Sequence, residues 1–170
     1  ERKGKEIVQL YVSAPDKMIR KEYQRLVGFG KTKELEPNEI ETVTITFDMK
    51  DCASFEESTS QYILESGSYI LRAGNCSRNT NVISTVELSQ DVVVSKHAKL
   101  SMKVDDFEIL ESLKRNTEEY DVPHLTLDPS SVVTKEFDYD TYEEAFDPNA
   151  KMILDKLTTK EKIDVVVGAG

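Results

Sequence analysis

Glu41-Thr-Val-Thr-Ile-Thr-Phe-Asp48 is the stretch whose reading decides the fold. Val43, Ile45 and Phe47 alternate with Thr42, Thr44 and Thr46, so an extended chain here puts every apolar side chain on one face and every hydroxyl on the other. Some thirty residues earlier, Glu6-Ile-Val-Gln-Leu-Tyr-Val-Ser13 has the same extended character. Two half-buried strands in the first fifty residues predict a sheet with one face covered, and a β-sandwich is the simplest way to cover it.

Working outward, the remaining strands follow from apolar runs bounded by turn formers. Ala14 to Glu22 carries Pro15, Asp16 and a mixed basic cluster and reads as a surface connection. Tyr23 to Leu35 is extended, with Gly28 and Gly30 marking a bulge or a close backbone approach. Leu35-Glu36-Pro37-Asn38-Glu39 is a turn in which Pro fixes φ and Asn tolerates the left-handed region. Asp51 to Ser60 reads as a polar connection anchored by Phe55. Gln61 to Glu65 and Ser68 to Ala73 read as a hairpin about a Ser66-Gly67 turn. Gly74 to Asn81 is a loop of turn formers, and Val82 to Leu88 and Val92 to Val94 complete the extended segments. The fold class is therefore mainly β: an immunoglobulin or fibronectin type III-like sandwich of about seven strands, followed by a linker and short helices.

The chain has 170 residues with a formal charge of -10, and the charge is unevenly placed. Residues 1 to 105 hold 15 Lys/Arg against 16 Asp/Glu, whereas residues 106 to 170 hold 7 against 16. An acidic last third without a basic, aromatic-studded stripe argues against nucleic acid as a partner. With no apolar run near the eighteen or more residues of a membrane span, no membrane partner is expected either. Three divisions result: 1–105 as the sandwich, 106–146 as an acidic linker or extension, and 147–170 as a helical start of something further. In the extension, Phe107, Leu110 and Leu113 have the spacing of a helical turn. Glu136 to Asp147 reads as a solvated linker whose aromatics, Phe137, Tyr139, Tyr142 and Phe146, tack it to a neighbouring surface.

In the last stretch, Asp147-Pro148 suits a helix N-cap with Pro at the first position, and Thr158-Thr159-Lys160-Glu161 spells a capping box. Ile163-Asp164-Val-Val-Val-Gly-Ala-Gly170 also has the look of the strand and first glycines of a dinucleotide-binding turn. The third glycine and its helix are not in the chain, and the capping box favours a second helix over that strand.

Chemistry is harder to find. His97 and His124 have no ligand-type neighbours at metal spacing, and no Gly-x-Ser-x-Gly elbow or nucleophilic cysteine context is present. Among 32 acids nothing singles out a pair set for glycoside cleavage. Catalytic, metal and cofactor-binding residues are accordingly none, and no cofactor is expected. Cys52 and Cys76 either pair across the sandwich or stay as free thiols, the latter being favoured. Asn75-Cys76-Ser77 formally matches a glycosylation acceptor. No signal segment is visible, and the cytoplasm is slightly favoured as compartment.

Four blocks, Glu6-Ile-Val-Gln-Leu-Tyr-Val-Ser13, Lys21-Glu-Tyr-Gln-Arg-Leu-Val-Gly-Phe29, Leu35-Glu-Pro-Asn-Glu39, and Glu65-Ser-Gly-Ser-Tyr69 through Gly74-Asn-Cys-Ser-Arg78, resemble the fibronectin type III-like domain of family-three glycoside hydrolases, the β-glucosidase group. Tyr62 stands nearest to the bulky aromatic, often Trp, that commonly precedes the Glu-x-Gly-x-Tyr block there. Leu157-Thr-Thr-Lys-Glu-Lys-Ile163 resembles the signature that opens the family's barrel domain, so the resemblance implies the swapped domain order of a subset of members. It also implies a non-catalytic structural domain whose partners are the catalytic barrel and α/β domains of the same parent chain. The connection after the first strand, with Met18, Ile19, Tyr23 and Arg25, is the candidate interdomain docking surface, against the plainer reading of an ordinary loop. A stand-alone carbohydrate-binding or adhesion module is the alternative.

Overall fold

The computed structural model describes residues 2–98, 120–136 and 147–167. The chain divides into two units, Glu1–Glu136 and Phe137–Gly170. In the first, the strands β1 (Ile7–Ser13), β2 (Arg25–Lys31), β5 (Gly67–Cys76), β6 (Asn79–Leu88) and β8 (His124–Leu127) form one sheet in the order β2-β1-β5-β6-β8. A second sheet has the order β3 (Ser54–Glu56), β4 (Gln61–Leu64), β7 (Val92–Lys96) and β9 (Lys135–Glu136). The molecule is mostly β, a two-sheet sandwich. Its core joins Leu10 and Val12 of β1, Leu64 of β4, Tyr69 and Leu71 of β5, Val86 and Leu88 of β6, and Val92 and Val94 of β7. These positions alternate along each strand, as a sheet with one buried face requires.

Several expectations are met locally. β2 carries a bulge at Val27, beside Gly28 and opposite Leu10 and Tyr11 of β1, and Asn38 is left-handed at φ 66°. Gly28 and Gly30 mark a close approach: a Cβ on Gly28 would sit 2.6 Å from Ile45 Cγ2, and one on Gly30 would collide with Val43. Both glycines exist so that the 43–46 segment can lie directly on β2.

Other expectations are overturned. Gln61 to Glu65 and Ser68 to Ala73 are not a hairpin: β4 pairs with β3 and β7, while β5 pairs with β1 and β6. The Ser66-Gly67 turn instead carries the chain from one sheet to the other, with Gly67 at φ 125°. Tyr69 locks the corner, its buried hydroxyl donating to the Glu65 carbonyl at 2.8 Å, the arrangement known as a tyrosine corner. The hairpin lies further on, where β5 and β6 flank only Ser77 and Arg78, so most of the supposed 74–81 loop is ladder. Asp51 to Ser60 is not held by Phe55, which is 40% exposed; Cys52 and Ala53 are the buried apolar residues there, with Ser54 and Ser60 buried beside them, and β3 occupies the middle.

The deciding stretch has the predicted burial but not the predicted ladder. Val43, Ile45 and Phe47 are half-buried and Thr42, Thr44 and Thr46 exposed, yet Glu41–Phe47 belongs to neither sheet. Residues 124–127 and 135–136, within the 106–146 acidic linker or extension, are strands that pair in parallel with β6 and β7. The Phe107–Leu113 turn and the aromatics of the 137–146 run lie outside the described residues.

In the second unit, α1 (Pro148–Leu154) starts on Asp147, whose carboxylate accepts from Asn149 N at 2.8 Å. The helix α2 (Thr159–Val167) starts on the capping box, Thr158 N donating to Glu161 Oε2 at 2.8 Å and Glu161 N to Thr158 Oγ1 at 3.3 Å. Val165 to Val167 are therefore helical rather than the strand of a dinucleotide-binding turn.

Candidate docking loop

The connection from β1 to β2 is organised by a residue it does not contain. Glu65, at the β4-to-β5 corner, is 1% exposed and turns its carboxylate into the loop. It accepts from Met18 N at 2.8 Å, from Ile19 N at 3.4 Å and from the Lys21 ammonium, which is also buried and donates to the Ile19 carbonyl at 3.0 Å. Lys21 N donates to Asp16 Oδ1 at 3.2 Å, and Lys17 Nζ reaches Ser66 Oγ at 2.9 Å. A charge removed from water persists only when paired and hydrogen-bonded, and here each partner is supplied by the other element. Pro15 lies against Gly67, where a Cβ would meet its ring at 3.2 Å. The loop is thereby fastened to the corner across 44 residues of sequence.

The four candidate residues divide into two pairs. Met18 is 74% exposed at the loop's tip with Ile19 half-buried beside it. Tyr23 and Arg25 are committed internally. The Arg72 guanidinium sits 5.1 Å from the centre of the Tyr23 ring while Arg72 Nε donates to Ser13 Oγ at 3.2 Å. Arg25 pairs with Glu22 and donates from one terminal nitrogen to the carbonyls of Asp51 at 2.9 Å and Ala53 at 3.1 Å. Gln24 closes the loop, its amide donating to the Ser77 carbonyl at 2.6 Å. Sequence reasoning missed Glu65 and Lys21, for which the only signal is an acid closing the apolar run Tyr62-Ile63-Leu64.

These groups hold the loop to the corner. Among the described residues no three His, Cys, Asp or Glu side chains gather as metal ligands. Asp48 and Asp51 border an open groove of about 530 Å³, lined also by Thr46, Phe47, Met49, Leu127, Ser131 and Val132. Asp48 is occupied in capping: the Lys50 ammonium and amide hold its carboxyl below the usual range, so it offers no proton to a leaving group. Cys52 is buried and Cys76 exposed, both as free thiols, and burial pushes Cys52 up to about 11, which leaves it an inert thiol. On the outer face of the second sheet, Phe55, Tyr62 and His97 form an aromatic row, with ring centres 5.1 and 5.4 Å apart but planes tilted by 56° and 75°.

Residues 6–77 match the family described as fibronectin type III-like domain. β-Glucosidase A of Butyrivibrio fibrisolvens is 38% identical over 98 residues, 55% of this chain and 12% of its own length. Thermostable β-glucosidase B of Acetivibrio thermocellus is 33% identical over 103 residues, 61% of this chain and 14% of its own. Among solved structures, a β-glucosidase from Paenibacillus barengoltzii superposes with a TM-score of 0.53 at 34% identity, over 55% of this chain and 11% of that one. The chain thus spans about an eighth of the length of the curated relatives it matches. Over residues 6–77 the chain is thus similar to a fibronectin type III-like domain, and the β-glucosidases it matches share that region with it.

Proposed function

We propose that this segment is a non-catalytic scaffold of a β-glucosidase-like glycoside hydrolase chain, packing on the catalytic barrel and α/β domains of that chain and fixing their relative placement. The β1–β2 loop is its docking surface, and residues 147–170 open the barrel. The observation that carries the reading is a loop whose backbone is fastened to buried Glu65 while Met18 stays 74% exposed. A rigid loop with an apolar tip loses little entropy on docking, which is what a positioning contact needs. Support also comes from α2, where Val165, Val166 and Val167 are 71, 86 and 76% exposed, an apolar surface that suits a place inside a larger domain. The alternative of a sugar-binding module needs rings lying flat in a common plane. The tilted Phe55, Tyr62 and His97 do not offer one.

The test is Met18→Glu in the full-length parent chain. Aryl-glucoside hydrolysis should fall and thermal unfolding should split into separate transitions, while the same change in residues 1–170 alone leaves melting unaltered. Unchanged activity and a single unaltered transition in the parent would remove the loop from the interface.

A further inference from the structure

The Glu41–Asp48 stretch has the side-chain pattern of a strand and none of its hydrogen bonds. Among the described residues, no backbone N–H or C=O from Ile40 to Phe47 is paired with another backbone group, in a ladder or outside one. Yet Ile45 and Phe47 pack against the core, so the segment is held at its side chains while its backbone has no ladder partner among the described residues. Extended, one-side-buried chain with free edges is a template for strand addition.

Two further observations place the missing strand. The groove of about 530 Å³ runs from Thr46, Phe47 and Met49 on this segment's side to Leu127, Ser131 and Val132 on the other. Leu125 and Leu127 pair with Val86 and Leu88, both core residues, and therefore face the interior. Leu125 is nonetheless 55% exposed. Leu125 is thus an inward leucine left half uncovered, and Leu127 two residues on lines an open groove of mixed polar and apolar character beside the unpaired segment.

We infer that residues 41–48 are an acceptor edge for one β-strand from the parent polypeptide outside residues 1–170, which pairs with this edge and lays alternate apolar side chains into the groove over Leu127 and Val132. The occupant rests on the scaffold reading, under which most of a β-glucosidase-length chain lies outside this segment.

The experiment is amide hydrogen exchange by NMR on labelled residues 1–170, with overlapping peptides of about 12 residues, enough for a strand of ordinary length, taken from the parent reading frame. One peptide should slow every second amide between Thr42 and Phe47 by about 100-fold or more, because a ladder protects alternate residues on the paired edge. Val132→Asp, which puts a charge into the far wall from a half-buried turn, should weaken that peptide's binding at least ~10-fold while β1 and β5 amides keep their protection. The inference is overturned if no peptide protects the segment, if these amides are already slow in the chain alone, or if protection grows with the chain's own concentration. A reading frame without catalytic domains would instead sink the scaffold reading, so the two failures are distinguishable.

Discussion

The β1–β2 loop and the Glu41–Asp48 segment invert what their sequences advertise. The loop has the composition of an ordinary surface connection and is tied down by charge-assisted hydrogen bonds that it donates to buried Glu65. The segment has a clean two-residue alternation and makes no ladder. Alternation reports which side chains are buried, and here it does so correctly; it does not report whether the backbone finds a partner. A loop's order depends on distant groups that satisfy its amides, and those leave no trace in its own composition.

The sharpest way to break this contrast is to put proline in each kind of chain. Leu71→Pro removes a donor from β5, in the middle of the five-stranded sheet, and should unfold the domain outright, costing more than about 3 kcal/mol. Thr44→Pro removes an N–H that has no backbone partner, next to a Val43 already extended, and should cost under ~1 kcal/mol. Urea denaturation of the two variants decides the matter. Equal, large losses would mean that the 41–48 backbone is paired after all.

Next in size is the loop's anchor. Glu65→Ala leaves the Lys21 ammonium buried without its carboxylate and frees two loop amides, so a loss of about 3–5 kcal/mol is expected. The double change Lys21→Met with Glu65→Leu should recover much of that loss, because removing both charges also removes their desolvation cost. If Glu65→Ala were nearly neutral, the loop would be no more than the surface connection it resembles.

What could be read in advance was local, and what could not was long-range. The Thr158–Glu161 box, the left-handed Asn38 and the glycines opposite Val43 and Ile45 depend on neighbours in sequence or on the chain's own stereochemistry. Assigning β4 and β5 to different sheets depends on Gly67 and the Tyr69 hydroxyl closing a corner, and Ser66-Gly67 is equally good hairpin chemistry. At the candidate site, the exposed tip at Met18 followed from its surroundings. The internal use of Tyr23 by Arg72 and of Arg25 by Asp51 and Ala53 did not, since the partners lie 26 to 49 residues away.

Cys52 lies beside Lys21, Glu22 and Arg25 at the end of the loop, and tests its packing through pH. Burial raises it to about 11 from an ordinary 9, the Arg25 charge offsetting only part of the effect. The folded state therefore keeps this proton while the unfolded state gives it up. Stability should be intact below pH ~9 and decline as pH rises toward ~11, by about 2 kcal/mol from this thiol. Tyr69, raised by its own burial, acts in the same direction at higher pH. Cys52→Ala should flatten the decline between those limits. A full decline in that variant would place its origin in other groups.

The smallest effect separates the loop's anchor from its tip. The Met18 side chain is 74% exposed, and its link to the fold is the amide donated to Glu65 Oε1 at 2.8 Å, which alanine keeps. Met18→Ala in residues 1–170 should therefore leave stability within about 0.5 kcal/mol, the range of ordinary surface changes. Met18→Pro deletes the amide as well as the side chain and also fixes φ, so it should cost at least the part of the Glu65→Ala loss owed to one charge-assisted hydrogen bond, about 1.5–3 kcal/mol. Denaturation midpoints for the pair thus ask whether the loop is held through its backbone. Should alanine cost as much as proline, the tip is packed within this domain and is not free to meet a neighbouring one.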